Sequence, residues 1–321
     1  MKKTSKQLFK SISKISAGLI NETYKIKTDR EIFILQKLNP IFKKGVNNNI
    51  NAVSKHLIKH GLKAQEIIKA KNNWRFMTYI PGKTFDKIND ITKAYEAGKI
   101  LGQFHRTLAN FKYKFKHKRL LHHNTKKLFS LFKSAIAKNS LSLKITSLAK
   151  IINNLPKLFL PKNLRKNITH GDPKINNVIF QNNKAVALID LDDCGRKHNV
   201  LVELGDAFRS WCGDAEDDPN NKFNLNKFRA ALQGYTKESK NFLLEKEKKL
   251  LPQAIKLITL ELASRFLRDY FEDCYFSWNN KKYPSRKAHN LARAQSQIAL
   301  YQDIIKKENQ INKIIKTTPS A

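Results

Sequence analysis

The chain has 321 residues, with 62 Lys and Arg against 26 Asp and Glu, a formal net charge of +36, and 41% hydrophobic residues. This is enough for one two-lobed domain or two small ones with proper cores, and no run of about eighteen apolar residues offers a membrane span. The basic excess is mostly Lys, spread from end to end and accompanied by abundant Asn, so it reads as compositional bias; without a binding-module signature it defines no specific nucleic-acid partner.

The first twenty residues start basic, but Ser11, Ser13, Lys14 and Ser16 interrupt their apolar part, so they do not read as a secretory signal. Residues 5–13 suit one or two helical turns, whereas residues 15–27 alternate polar and apolar positions as two extended segments around Gly18 and Asn21. Such a loop can cover nucleotide phosphates with backbone N–H groups; taken alone it is an ordinary hairpin. Residues 31–38, EIFILQKL, form a strand by their apolar and β-branched content. Gln36 and Lys37 point to its opposite faces. The helix expected over residues 46–60 contains no acidic residue. The Lys–Glu ion pair by which kinases fix a strand lysine therefore cannot form with it. Gln36 is assigned to the site, with a neutral amide contact to Asn49 replacing the ion pair, and Lys37 to solvent.

Two further strands, residues 64–69 and 74–80, end at Pro81-Gly82. The segment RFMTYIPG either runs into a hinge, with Met77 and Tyr79 packing on adenine, or is a plain edge strand. Beyond it the pattern turns helical, which places a lobe boundary here. Residues 91–110 carry an apolar stripe that includes His105, read as a buried, satisfied histidine. A Lys-laced connector and two amphipathic helices, residues 125–138 and 141–155, follow, their charge forming a solvated face. Residues 202–213, 228–235 and 241–249 are helical. The longest apolar-periodic segment, residues 253–278, holds Glu261, Arg265, Arg268, Asp269 and Tyr275 among Ile, Leu and Phe; such charges need partners, either each other or a substrate. A helix over residues 289–307 precedes a Lys-rich tail expected to fray.

The densest chemistry lies in residues 168–193, ITHGDPKINNVIFQNNKAVALIDLDD. His170-Gly171-Asp172, Lys174, Asn177 and, after an apolar hairpin turning at Asn182-Asn183, Asp190 follow the order of a kinase catalytic loop and its metal-binding Asp. Phosphoryl transfer from ATP needs the acceptor hydroxyl relieved of its proton, the γ-phosphate charge met, and divalent metal held across the phosphates. Asp172 can accept the proton, Lys174 can reach the transferring phosphate, and Asn177 and Asp190 supply oxygen ligands suited to Mg²⁺. His170 is read as a support of the loop. From Asp190 to Asp218 carboxylates outnumber basic residues, which also suits metal. Cys194, Cys212 and Cys274 are odd in number and lack ligand spacing, so reduced thiols in a cytoplasmic protein are expected. Only a few residues separate Asp193 from the next helix. The activation segment with which protein kinases dock polypeptides is missing, so the acceptor is expected to be small.

At these residues the chain resembles the aminoglycoside phosphotransferase and choline kinase superfamily. The blocks GLINETYKI, FILQKLN followed by IFKK, LHHNT, HGDPKINNVIF, ALIDLDD, ELGDAFR and ELASRFLRDYFEDCYF look most like its N-acetylhexosamine 1-kinase-like branch. The resemblance implies an α+β, two-lobed protein-kinase-like fold. Residues 1–81 would form a nucleotide-binding lobe with an antiparallel sheet and one helix, and residues 82–321 a larger, mainly helical catalytic lobe. It implies ATP- and Mg²⁺-dependent phosphorylation of a sugar or amino-sugar hydroxyl, in that branch the anomeric one. Asp172 would be the base, Asn177 and Asp190 the metal ligands, and Gly18, Asn21, Gln36, Met77 and Tyr79 the nucleotide contacts. Arg265, Tyr275 and Asp192 would contact the acceptor. The chain departs from the branch at Leu19, where a His is usual, at Asn124, where an Asp is usual, and in a one-residue shortening between Arg265 and Tyr275. Aminoglycoside, choline or ethanolamine acceptors are the runner-up reading, favoured if the acidic residues of 214–218 line the pocket. A pseudokinase scaffold and a basic nucleic-acid binder are the readings outside enzyme chemistry.

Overall fold

Alternating residues in the first eighty positions build an antiparallel sheet of five strands in the order β1-β2-β3-β5-β4: β1 Phe9–Ile15, β2 Glu22–Thr28, β3 Ile32–Lys37, β4 Ile67–Lys71 and β5 Trp74–Thr78. This computed structural model describes residues 9–15, 20–42, 45–88, 90–117, 122–196 and 198–319. Residues 9–13 are strand where helical turns were expected. Apart from Lys10, which is skipped at a register shift, each residue of β1 pairs across to β2, Ile12 opposite Ile26, and cross-strand pairing outweighs local propensity. The register Thr23–Gln36–Arg75 runs straight across β2, β3 and β5. Helix α1, Val46–Lys59, buries Val46, Ile50, Val53 and Leu57 behind the sheet.

The chain leaves the sheet at Pro81-Gly82. Gly82 has φ +144°, and a Cβ there would lie 2.7 Å from the Phe180 carbonyl oxygen and against Ile179. Glycine is therefore required where the connection presses on the second half of the molecule. Lys83 and Phe180 exchange backbone hydrogen bonds of 2.9 Å, fastening the connection there.

The rest is mainly helical: α2 Ile91–Leu108, α3 Thr125–Ala137, α4 Leu143–Ile152, α5 Val200–Cys212, α6 Leu225–Ser239, α7 Glu245–Lys248, α8 Leu251–Glu272, α9 Arg286–Lys306 and α10 Glu308–Thr317. Between α4 and α5 lie the short strands β6 Ile168–Thr169, β7 Val178–Gln181, β8 Lys184–Leu188 and β9 Gly195–Arg196, paired β6 with β9 and β7 with β8. One apolar core joins α1, α2, α5 and α6, and a second joins α3, α4, α8 and α9. Among the described residues no helix is long and apolar enough to cross a membrane.

Two helical segments, α8 and the C-terminal tail, depart most from the sequence reading. Helix α8 stops at Glu272 because Asp273 turns left-handed at φ +51°. The Asp269 carboxylate then accepts the N–H groups of Cys274, Tyr275 and Phe276 in a tight return. The tail, expected to fray, forms α10 instead, because Ile311, Ile314 and Ile315 recur at helical spacing and are buried. Asn124 is the N-cap of α3, its side chain accepting from the Lys127 N–H. Replacing fully buried Ile311 by Ala should cost about 2–4 kcal/mol in denaturant unfolding. An unchanged midpoint would mean that α10 is not docked.

Candidate active site

The residues of 168–193 are brought together by one hairpin and one helix. Asn182 and Asn183 take φ +47° and +63°, the left-handed pair that closes a two-residue turn between β7 and β8. Val178 then faces Leu188, and Ile189 donates its N–H to the Asn177 carbonyl at 2.9 Å. This register sets Asp190, itself left-handed at φ +67°, beside Asn177.

Helix α5 holds the preceding loop. Both oxygens of buried Glu203 are used there, accepting the N–H groups of His170 at 2.7 Å and Gly171 at 2.9 Å. Trp211 donates to the Pro173 carbonyl at 2.8 Å, and Ser210 accepts the Ile175 N–H at 3.1 Å. Gly171 has φ +94°, and a Cβ would meet the Asp193 carbonyl oxygen at 2.7 Å. His170 is fully buried, burial lowers its pKa, and Nδ1 accepts the Asp172 N–H at 3.3 Å. The Asn177 side-chain N–H₂ donates to the Asp172 carbonyl at 2.8 Å, so its Oδ1 is the atom it can offer a cation.

The charges here are set by mutual proximity. Burial opposes ionisation of Asp172, but Lys174, with Nζ 2.6 Å from Oδ2, outweighs it and holds the carboxyl below its usual range. Burial likewise opposes the charge on Lys174, and Asp172 and Asp190 overcome it and raise its pKa. Asp190 is pushed up to about 7 by burial and by the charge of Asp192.

A cleft of roughly 290 Å³ runs between the sheet and this loop. Met77 and Tyr79 line it with Ile34, Ile179, Leu188 and Ile189, giving apolar walls; Asn177 and Asp190 line it as well. Asn176 Oδ1 is buried beside it without a hydrogen-bond partner. Gly18, expected over the phosphates, lies outside the described residues. Asn21 was expected there too, but it spans from Asp192, to which it donates at 2.7 Å, to the Asn39 N–H, from which it accepts at 2.9 Å. Gln36 lines the cleft but does not meet Asn49, whose amide is taken by the His117 carbonyl and the Lys116 N–H. Its partner is Arg75, which donates from Nε to Gln36 Oε1 at 2.7 Å. Arg75 went unnamed in the sequence reading, although β-strand parity puts it on the same face as Met77 and Tyr79.

On the far side of Asp172, Arg265 stacks over Tyr275 at 5.8 Å and Phe276 at 5.4 Å. Burial opposes its charge, and Tyr275, Glu261, Asp206 and Asp172 together raise its pKa. Glu261 itself is consumed by His123, at 2.8 Å, and Thr125. Asp192, expected at the acceptor, is corrected: it is 3% exposed and gripped by Arg75 and Asn21. The acidic 214–218 segment carries its own counter-charges. Asp214 pairs with Lys87 at 2.5 Å, Glu216 with Arg293 at 3.4 Å, and Asp217 with Lys282 at 2.8 Å and with His289.

Asn177 and Asp190 form an oxygen pair of the kind Mg²⁺ completes with water and phosphate oxygens. Among the described residues no three His, Cys, Asp or Glu side chains form a metal cage on their own. A five-stranded sheet over a helical body, with a cleft ending on this loop, defines a protein-kinase-like phosphotransferase fold. Residues 11–238 match the Phosphotransferase enzyme family, and the chain belongs to that family. It is a small-molecule phosphotransferase, an enzyme that acts on hydroxyl groups. Its fold is similar to that of a microcompartment-associated aminopropanol kinase, with a TM-score of 0.62, 14% identity and 93% of each chain covered. It is also similar to a choline kinase from Cryptosporidium parvum Iowa II, with a TM-score of 0.61, 13% identity, and 96% of this chain and 93% of that one covered. An amicoumacin kinase in complex with AMP-PNP, Ca²⁺ and Ami aligns with a TM-score of 0.58 at 14% identity, covering 91% of this chain and 89% of that one.

The raised pKa of Asp190 has a signed consequence. A carboxyl whose folded-state pKa, about 7, stands above its ordinary 3.8 disfavours folding progressively as pH rises between those values. A divalent cation bound to the ionised form should offset this. The thermal shift produced by Mg²⁺ should therefore be larger at about pH 8 than at about pH 5.5, and a pH-independent shift would remove Asp190 from the metal site.

Proposed function

We propose that this protein transfers the γ-phosphate of ATP to a hydroxyl of a sugar or amino sugar, with Mg²⁺ as the metal. Residues 1–81 would act as the nucleotide-binding lobe and residues 82–321 as the catalytic lobe. The observation that carries this reading is the convergence of Asp172, Lys174, Asn177 and Asp190 on one another, with Asn177 and Asp190 lining an apolar-walled cleft.

In this reading adenine lies between Met77 and Tyr79 on the sheet side and Ile179 and Leu188 on the other. The Asp172 carboxylate orients the acceptor hydroxyl and takes its proton as the oxygen attacks the γ-phosphorus. The bond from that phosphorus to the bridging oxygen breaks, and ADP leaves. Lys174 keeps Asp172 ionised and stands ready to meet charge on the transferring group. Mg²⁺ held at Asn177 and Asp190 would neutralise phosphate charge.

The sugar reading draws on the acceptor side. Arg265 and Tyr275 lie beyond Asp172 as a hydroxyl-binding pair, and the nearby acids are already matched by Lys87, Arg209, Arg293 and Lys282. A compensated pocket favours a neutral polyol over a cation. It agrees with the N-acetylhexosamine 1-kinase-like blocks and, through them, with an anomeric hydroxyl as the acceptor. The second reading, an amino alcohol or aminoglycoside, is favoured by the likeness to choline and aminopropanol kinases.

The test is ATP consumption against free sugars, amino sugars, aminoglycosides and choline-like alcohols. Turnover with sugars supports the first reading, turnover only with amines the second, and turnover with none overturns both. With the active acceptor, Asp172→Asn should lower kcat about 10²–10⁴-fold while retaining ADP binding and melting temperature. Arg265→Ala should raise the acceptor KM about tenfold or more with a much smaller change in kcat. A loss confined to stability would make Arg265 a packing residue.

A further inference from the structure

Three residues stand in register across the sheet: Thr23 on β2, Gln36 on β3 and Arg75 on β5. All three line the cleft. They form a directed chain of hydrogen bonds. The Gln36 side-chain N–H₂ donates to Thr23 Oγ1 at 2.9 Å, which turns Gln36 Oε1 toward Arg75. That oxygen accepts from Arg75 Nε at 2.7 Å and also from Nη2. The other edge of the guanidinium crosses to the second half of the molecule and grips Asp192 with two bonds, Nη1 to Oδ1 at 2.5 Å and Nη2 to Oδ2 at 3.0 Å. The Asn21 side chain adds a third donor to Asp192 at 2.7 Å.

Every side-chain partner of Asp192 among the described residues therefore comes from the sheet half of the protein, and none from its own half. Both charged side chains are 2% exposed. Asp192 lies two residues from Asp190, in the single tight turn Leu191–Asp193 that Asp190 caps in a left-handed conformation. Fixing one carboxylate in so short a turn fixes the backbone that carries the other. Helix α1, which packs near this turn, has no acid with which to pair a strand cation.

We propose that Arg75 and Asp192 clasp the two halves of the molecule and set the position of Asp190, with Gln36 and Thr23 holding Arg75 in place. Arg75 is thus a positioning residue: the sheet governs the metal-binding end of the site through Asp192, not through a strand lysine paired with a helix glutamate. The proposal rests on the kinase reading, since it concerns how the metal and phosphate end of that site is assembled. A bidentate, buried guanidinium–carboxylate pair supplies the directional rigidity required, and supports behind a metal ligand commonly tune metal affinity.

The experiment is calorimetric titration of the full-length protein with ADP, with and without Mg²⁺, for wild type, Arg75→Lys, Asp192→Asn and the double variant Arg75→Met/Asp192→Leu. The gain in ADP affinity that Mg²⁺ brings should fall about tenfold or more in each variant. Metal-free ADP affinity should stay within about threefold of wild type. The double variant should lose no more than the product of one disrupted clasp, since both changes break the same contact. The double variant removes both charges, so it reports on the clasp even where Asp192→Asn, which leaves the Arg75 guanidinium buried without its counter-charge, would prevent folding. An undiminished Mg²⁺ effect overturns the proposal. So does an equal loss of metal-free ADP binding, which would make Arg75 a direct phosphate contact. Wild type that binds no nucleotide overturns the kinase reading, and the proposal with it.

Discussion

Three carboxylates, Asp172, Asp190 and Asp192, are crowded together where Asp190 meets the cleft, and their mutual repulsion is the constraint that the surrounding structure answers. Asp190 feels both of the others. Each is handled differently. Asp172 is compensated by Lys174 two residues along the same loop. Asp192 is compensated from across the molecule by Arg75 and Asn21. Asp190 has no comparable cation of its own, and its pKa rises toward neutrality in consequence. An acid left in that condition beside an amide oxygen is a poor structural device and a good ligand for a divalent cation. The hairpin register, the left-handed turn at Asp190 and the sheet register at Arg75 all serve to hold this arrangement against its own repulsion.

The loop carrying Asp172 has a related problem, since its N–H groups turn inward and must be met. Buried Glu203 meets two of them, and burial alone would push its proton affinity up. Hydrogen bonding and charge from His105 and the field of His170 outweigh that, so the carboxyl stays low and ionised. His105 in turn bonds Tyr235 of α6 at 3.0 Å and stacks on Phe242. The loop carrying Asp172 is thereby tied through α5 to the packing of α2 and α6.

Much of this was legible in the sequence because it depends on spacing. The run from His170 to Asp190 fixes a turn, a hairpin and a register whose geometry follows from period and turn chemistry, and the structure adds little to it beyond distances. The division into a sheet followed by helices was readable for the same reason. What could not be read were pairings set by the third dimension. No local signal says that Asn49 holds residues 116 and 117 rather than Gln36, or that Asp192 faces the sheet rather than the acceptor. The N-terminal strand and α10 failed for a different reason. Each takes its structure from what it packs against, β2 in one case and the helical body in the other, and short segments carry too little propensity to reveal that.

The charge of the chain also gains meaning once positions are known. The Lys excess lies largely on exposed positions and agrees with compositional bias. Four arginines behave otherwise: Arg75, Arg209 and Arg293 are buried and Arg265 is half-buried, and each of the four engages acids of the second half of the molecule. A guanidinium is planar, stays charged when desolvated and offers several donors in fixed directions, so it can satisfy a buried carboxylate where a lysine would tend to lose its proton or its geometry. In a sequence so biased toward lysine, an arginine inside an apolar strand or helix is therefore informative by its type alone. Applied to the strand WRFMTYI, that argument singles out Arg75 before any coordinate is consulted, and with it the cation that the absence of acid in α1 had seemed to remove.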